Sequence, residues 1–200
     1  MISDLTEAGI EFSPPLSGKE VVSVEDRFEI QFPSDLRAFL QTALPKGKYF
    51  PDWRDGSELQ LTNWLNGPRE GVLFDVEFNN FWLPEWGLRP NSVDEAKAIA
   101  GQLVDHAPKL IPIYAHRMIP SEPFEEGNPV FSVHQTDIII YGIDLQDYLL
   151  GEFLLSKMKK MEKKERKSPR KIRFWDIDRF QKIRWNDGAC FFDNRDGTLS

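Results

Sequence analysis

The chain has 200 residues and a formal net charge of −7, and 40% of its residues are hydrophobic, including six Trp and 15 Phe. This length fits one domain with a sizeable core, and the apolar content argues against global disorder. No stretch approaches the roughly 18 consecutive apolar residues of a membrane-spanning helix, and the acidic N-terminal segment lacks the basic start of a signal peptide. We therefore expect a folded cytoplasmic protein that does not bind a membrane.

Cysteine content and charge distribution narrow the function classes further. Cys190 is the only cysteine, so one chain can form neither an internal disulfide nor a cysteine-based zinc site. Residues 1–156 hold 11 Lys/Arg and 25 Asp/Glu, a balance of −14, whereas residues 157–184 hold 13 Lys/Arg and four Asp/Glu, a balance of +9. An acidic body disfavours nucleic acid and favours a basic partner.

Two helices are predicted near the N-terminus. Residues 1–17 predict an extended lead-in, because they contain two consecutive prolines and show little periodicity. Ser17 and Glu20 have the spacing of a capping box, and apolar residues then recur at helical spacing, so a first helix is predicted over residues 18–29. Pro33 suits the first turn of a second helix. The apolar residues that follow it at helical spacing are Leu36, Phe39, Leu40 and Ala43.

Residues 48–91 are dense in aromatic residues, proline and glycine. We predict one or two helical turns at 57–65 and short strands near 72–74. Phe81, Trp82 and Trp86 either fill the core or form an exposed binding platform. Ser92 then opens a second capping box, and the pattern predicts a helix from Val93 to about His106.

A hairpin that leads into a helix is predicted in the second half of the chain. Residues 110–116, 129–134 and 138–141 are rich in β-favouring side chains and predict three neighbouring antiparallel strands, with a loop at 117–128. Asp144 can cap a helix whose apolar stripe would lie across the hairpin. We expect Tyr141, Leu145 and Leu149 to be buried where the hairpin meets this helix.

A basic strap at about 157–171 follows and is either a continued helix or a solvated segment. Lysine clusters neutralise phosphates, which makes nucleic acid a possible ligand. The acidic body and the absence of aromatic residues for base stacking within 157–172 argue against nucleic acid. The aromatic segment 172–185 should return to the body.

Histidine is the natural candidate for acid–base chemistry. His116 and His134 lie at the ends of strands that could pair, with Arg117 and Asp137 nearby, but no nucleophile motif accompanies them. They are either a catalytic cluster or ordinary strand-end histidines. No metal-binding or phosphate-binding motif occurs, so no cofactor is expected.

The predicted first helix is followed by FPSDLRAFLQTA. This segment resembles the signature of the SUKH superfamily, which includes fungal Smi/Knr cell-wall regulators and many bacterial immunity proteins. The segments KLIPIYAHRMIPSEP, GNPVFSVHQTDIIIYG, DLQDYLLGEF and RFWDID are similar to a bacterial subgroup of that family. Together they span most of residues 18–178. The family's usual Asn-Gly turn after the second helix is replaced here by residues 44–47, Leu-Pro-Lys-Gly.

The resemblance implies a single α+β domain over residues 18–200, with a twisted, mainly antiparallel sheet and helices packed on it. It also implies no enzymatic activity. Bacterial members are thought to act mostly as immunity proteins that bind a toxin domain, often a nuclease, whereas fungal relatives are interaction hubs in cell-wall signalling. The resemblance therefore predicts an immunity protein, with a regulatory scaffold as the alternative.

Acidic residues lie beside an aromatic residue in two loop-like stretches. An exposed aromatic side chain can anchor a partner while carboxylates speed its encounter with a basic surface, so both stretches are candidate sites for a basic toxin domain. The alternative is that the aromatic residues fill the core beneath solvated loops. The candidates are Asp52, Trp53 and Asp55 in the first stretch and Glu122, Phe124, Glu125 and Glu126 in the second.

Overall fold

Six α-helices and three antiparallel sheets form the part of the chain that the computed structural model describes, which is residues 1–154, 168–175 and 180 with the strands at 183–186 and 189–192. This architecture confirms the predicted α+β class. In chain order the elements are α1 Ile2–Glu7, β1 Glu11–Ser13, α2 Gly18–Phe28, α3 Ser34–Leu40, β2 Leu44–Lys46, α4 Glu58–Phe78, a 3-10 turn at Pro84–Trp86, α5 Val93–Asp105, β3 Leu110–Tyr114, β4 Arg117–Pro120, β5 Val130–His134, β6 Asp137–Gly142, α6 Leu145–Phe153, β7 Ile183–Asn186 and β8 Ala189–Phe192.

The first 17 residues contain two short elements, so the predicted extended lead-in is wrong. α1 buries Leu5 in the core. β1 pairs antiparallel with β2, with Glu11 opposite Lys46 and Ser13 opposite Leu44. Because β2 follows two helices in the sequence, no local pattern within the first 17 residues could predict this pairing.

Helices α2 and α3 lie where the spacing predicted them. Ser17 Oγ accepts from the Glu20 backbone N–H at 3.2 Å, and a Glu20 carboxylate oxygen accepts from the Ser17 N–H at 2.7 Å. Both bonds together form a complete capping box. α2 ends at Phe28, and Glu29 adopts a left-handed conformation with φ of 51°. The local signals were therefore sufficient here.

α4 is the largest departure from the prediction. Glu58–Phe78 is one 21-residue helix that replaces the predicted short helix and the strands near 72–74. The helix buries Val72 and Val76 completely, and this packing outweighs their weak preference for strands. A Cβ on Gly71 would lie 2.7 Å from the Cα of Gln135, so the glycine lets α4 approach the turn between β5 and β6 closely.

The bounds of α5 match the prediction, and of the predicted capping box the bond to the Ser92 side chain is formed. Ser92 caps its start by accepting from the Glu95 backbone N–H at 3.4 Å. An ion pair of 2.7 Å between Arg69 and Asp105 joins α4 to α5. Exposed pairs of this kind contribute little, so the buried faces of the two helices hold them together.

The sheet of β3 to β6 is four-stranded and antiparallel, in chain order. Three of its strands were predicted, whereas β4 was assigned to a loop. The predicted first strand ends at Tyr114 because Ala115 has φ of 48° and turns the chain into β4. Neighbouring residues alternate between faces: Ile119 packs in the cluster that contains α6, and Met118 packs in the cluster beneath α4 and α5.

α6 packs on the sheet as predicted, and Asp144 caps it by accepting from the Asp147 N–H at 2.7 Å. Leu145 and Leu149 are buried, which confirms those two predictions.

Tyr141 is 44% exposed, so the prediction that it is buried is wrong. β6 is an outer strand of the sheet, and its register against β5 shifts by one residue at this position. Such a bulge bends the strand and changes the direction of the extra side chain. The ring lies under Arg117 and 6.1 Å from the ring of Tyr148.

Leu149→Ala is expected to lower the free energy of unfolding by about 2–5 kcal/mol. Leu149 belongs to the core cluster that α6 shares with the sheet, so its truncation leaves a cavity. A urea melt measures the loss. Leu150→Ala, which removes a half-buried leucine from the same helix, should cost less. A loss for Leu149→Ala well below about 1 kcal/mol would show that α6 does not cover the sheet.

Most of the predicted basic strap at 157–171 lies outside the described residues. Beyond it, Ile172, Trp175 and Phe180 are buried in the cluster beneath α4 and α5. Trp175 Nε1 donates to the carbonyl oxygen of Pro108 at 2.7 Å. The predicted return of this aromatic segment to the body is confirmed at these residues.

The two alternatives for Phe81, Trp82 and Trp86 are decided in favour of packing. Phe81 is completely buried and stacks on Phe180 with ring centroids 5.9 Å apart. Trp82 and Trp86 are half-buried and pack at the margin of the same cluster.

Candidate partner-binding site

The first acidic stretch does not expose its aromatic residue. Trp53 is 1% exposed and packs edge-on against Phe28 and Phe32, with ring centroids 6.1 and 5.3 Å away. Trp53 therefore fills the core, which corrects the hypothesis that it anchors a partner. The physical reason is that the indole buries a large apolar area among rings that α2 and the following turn already supply.

The carboxylates beside Trp53 shape the local backbone. Asp52 Oδ1 accepts from the backbone N–H groups of Arg54 and Asp55 at 3.2 and 3.0 Å. Arg54 Nε donates to Glu20 at 2.6 Å, and this bond is the main reason that the pKa of Glu20 falls to about 2. Asp52 and Asp55 are exposed, but the Arg54 guanidinium acts against their charge, so this patch attracts a basic partner weakly.

The second acidic stretch is a loop that is fixed from beneath. The buried side-chain amide of Asn128 donates to the carbonyl oxygens of Pro120 and Pro123 at 3.0 and 2.8 Å. The Gly127 N–H donates to Asp35 Oδ2 at 3.0 Å. Burial raises the pKa of Asp35, and the bond from Gly127 acts in the opposite direction. The loop between β4 and β5 is thus anchored at both ends.

Two arginines, Arg170 at the end of the strap and Arg173 just after it, reach this loop. Arg170 donates from Nη1 to Asn128 Oδ1 at 2.7 Å, and its Nη2 lies 3.4 Å from a Glu125 carboxylate oxygen. Arg173 Nη2 lies 3.7 Å from a Glu122 carboxylate oxygen. These ion pairs are solvent-exposed and contribute little stability, but they reduce the charge that Glu122 and Glu125 offer to a partner.

Phe124 and Glu126 are the side chains that the loop leaves most available. Phe124 is 49% exposed and belongs to neither core cluster. Glu126 is exposed, has no ion-pair partner among the described residues, and lines a groove of about 1040 Å³ together with Asp35 and Asp144. The structure therefore keeps the second candidate stretch as an accessible surface and removes Trp53 from the first.

His116 and His134 are both exposed and lie near each other. Burial, followed by the positive charge of Arg117, lowers the pKa of His116. Arg117 Nη1 donates to His116 Nε2 and, at 2.9 Å, to Ser132 Oγ. His116 Nε2 therefore faces a cation and not the hydroxyl or thiol of a nucleophile.

Arg117 is also the centre of a polar cluster that the sequence did not predict. Its guanidinium lies 3.7 Å from the ring centroid of Tyr141, and its Nε lies 3.7 Å from Glu152 Oε2. Arg117 Nε, Glu152 Oε2 and the Tyr148 hydroxyl are buried without a hydrogen-bond partner among the described residues. Burial also raises the pKa of Tyr148. Arg117 stacks on the Tyr141 ring and restrains that ring at the outer edge of the sheet.

Sequence reasoning missed the residues that shape the acidic loop. Asn128 carried a weak signal, because it lies between Gly127 and Pro129 and such residues favour turns. Asp35 resembled any acidic residue in a first helical turn, and Arg170 belonged to a run of basic residues. Their contacts with the loop span long stretches of sequence, so no local pattern indicated them.

Among the described residues, no group of three or more His, Cys, Asp or Glu side chains could hold a metal ion. None of the helices in the described ranges is long and apolar enough to cross a membrane. Compared with protein-family models, with curated proteins and with solved structures, the chain matches none of them. The SUKH resemblance therefore stays a prediction that rests on the sequence motifs.

Proposed function

We propose that this protein is a non-enzymatic protein-binding domain that acts as an immunity protein and neutralises a basic toxin domain such as a nuclease. Three features support the proposal: the resemblance to the SUKH superfamily, the balance of −14 over residues 1–156, and the acidic loop between β4 and β5. The loop carries the proposal because it combines exposure, charge and a fixed shape.

The loop presents Phe124 from a backbone that is already held in place. Asn128 and Gly127 anchor this backbone through hydrogen bonds, so a partner would not have to order it on binding. A half-exposed aromatic ring outside the core is typical of an interface hot spot. Glu126 beside it adds electrostatic attraction toward a basic surface.

Toxin neutralisation is the direct test. Cells that produce a toxin domain encoded beside this gene should survive when the protein is co-produced, and the two proteins should co-purify. Binding to an endogenous protein without any rescue from a toxin would overturn the immunity assignment and favour a regulatory scaffold.

Glu126→Lys is expected to slow association with the cognate toxin domain by about threefold to tenfold at low salt, and to flatten the salt dependence. The rate constants can be measured by stopped-flow fluorescence. Simultaneous reversal of Glu122 and Glu125 is less informative, because it would also break their pairs with Arg173 and Arg170.

Glu58→Lys is the matched control for the charge change. Glu58 is exposed in the first turn of α4, and the nearby Trp64 bonds to Ala115 at the opposite end of the sheet from the acidic loop. Glu58→Lys changes the net charge by the same amount as Glu126→Lys. The association rate of the Glu58→Lys variant should therefore stay closer to that of the parent. Equal rates for the Glu126→Lys variant and the parent would place the site elsewhere on the acidic body.

A further inference from the structure

β3 and β6 are the outer strands of the four-stranded sheet. An outer strand has a row of backbone N–H and C=O groups that no neighbouring strand satisfies, and proteins normally protect this row with proline, charge or a bulge. Among the described residues, β6 pairs only with β5, and β7 and β8 pair with each other. The outer side of β6 is therefore free of a strand partner within the described chain.

The two outer strands are protected differently. β3 contains Pro112, and its register against β4 shifts between Pro112 and Tyr114. Both the proline and the register shift hinder the addition of a strand. β6 has the sequence DIIIYG, without proline and without charge after Asp137. Its register shift lies at the Gly142 end, so the pairing of residues 137–140 is regular. Within the part of the chain that the structure describes, β6 is thus an open apolar edge.

Two exposed apolar side chains lie on this strand. Ile139 is 40% exposed in the regularly paired part, and Tyr141, at the bulge, is 44% exposed. The stacking of Arg117 on the Tyr141 ring restrains that ring without covering it. A segment laid beside β6 would meet these two side chains.

A second apolar pair lies near the start of the strand. The Asp75 carboxylate accepts from the Thr136 backbone N–H at 2.9 Å, which places this turn of α4 against the residue that precedes β6. Phe74 and Phe78 flank that contact on α4 and lie with ring centroids 4.7 Å apart. Both are exposed, Phe78 to 61%. The turn of α4 that contacts Thr136 therefore also exposes an apolar pair.

We propose that β6 is a docking strand, and that an extended, basic segment of a protein partner adds beside residues 137–140 as a further strand of the sheet. The backbone groups of β6 would supply hydrogen bonds, and alternate apolar side chains of the segment would pack on Ile139 and Tyr141. The inference rests on the proposed function in taking the partner to be a protein.

The occupant is a basic partner strand and not a second copy of this chain. The whole chain has a net charge of −7, and residues 1–156, which include β6, carry a balance of −14, so two copies that met edge to edge would bring acidic surfaces together. β6 itself begins with the exposed Asp137. Lys or Arg residues that flank an apolar core in the segment complement this charge.

The probe is a pool of synthetic peptides of roughly ten residues that alternate apolar and polar side chains and carry lysines at both ends. Binding to the full chain is measured by fluorescence anisotropy. The same peptides with N-methylated alternate amides cannot donate edge hydrogen bonds and should not bind. Ile139→Lys should weaken binding by at least about tenfold, because a charge on an edge strand opposes pairing. Leu59→Lys, on the exposed surface of α4, makes the same chemical change and should stay within about twofold of the parent.

Equal binding of methylated and unmethylated peptides, or binding of neither, overturns strand addition without relying on any variant. A parent protein that sediments as a dimer, together with a monomeric Ile139→Lys variant, would place a second copy at the edge and overturn the choice of occupant. Toxin rescue that persists in Ile139→Lys would refute the docking strand and leave the immunity proposal standing. Peptide binding that depends on the edge, without any toxin rescue, would support the docking strand and refute the immunity proposal.

Discussion

Replacing Asp75 with alanine is expected to lower the free energy of unfolding by about 3–5 kcal/mol. Asp75 is buried in α4, and its carboxylate accepts from the Thr136 N–H at 2.9 Å, the Thr136 hydroxyl at 2.6 Å and the Asn79 side-chain amide at 2.6 Å. The alanine variant leaves these donors without their acceptor. Each unsatisfied buried donor costs roughly 1–3 kcal/mol, with partial relief from rearrangement.

Asp137→Ala is the matched control, because Asp137 follows the same turn but is exposed. Its effect should stay within about 0.5 kcal/mol. Urea melts of the two variants and the parent provide the comparison. A loss below about 1 kcal/mol for Asp75→Ala would mean that water replaces the carboxylate in this network.

Trp53→Ala is expected to cost about 3–5 kcal/mol, because it removes a fully buried indole. The ring contacts Phe28 and Phe32 in the core cluster, and those rings are held by α2 and the turn after it, so the site cannot collapse fully around the smaller side chain. Thermal and urea unfolding measure the loss.

Phe124→Ala separates the two aromatic residues that the sequence placed in equivalent settings. Phe124 is exposed, so its truncation should change stability by less than about 1 kcal/mol while it weakens binding of the cognate toxin domain. A large stability loss for Phe124→Ala, or a negligible one for Trp53→Ala, would contradict the assignment of one ring to the surface and the other to the core.

Elements defined by short-range signals could be predicted from the sequence. The capping box of Ser17 and Glu20, the helix that starts after Ser92 and the helix capped by Asp144 all formed as expected. These signals act within a few residues, so they do not depend on the rest of the fold. The hairpin of β5 and β6 was likewise predicted, since its two β-favouring runs are adjacent in sequence.

Elements that depend on distant partners were predicted poorly. β1 forms because β2 pairs with it, and α4 continues through Pro68 because its buried face packs against α5 and the sheet. Contacts between distant residues also limited the prediction of the candidate site. The pairing of Glu125 with Arg170, which reduces the free charge of the loop, joins residues on separate segments of the chain.

By itself, the sequence determined most helix starts and the acidic character of the body, because composition, capping and periodicity are properties of neighbouring residues. The α+β class was predicted from the family resemblance, and the structure has it. Only the tertiary structure decided which of two similar aromatic residues is accessible. Among the described residues, it also decided which carboxylates remain unpaired and which strand lies at an open edge of the sheet. Burial and pairing are set by contacts between residues that are far apart in sequence, as Trp53 with Phe28 and Glu125 with Arg170 illustrate. Those contacts place Phe124, Glu126 and the edge of β6 at the surface where a partner can reach them.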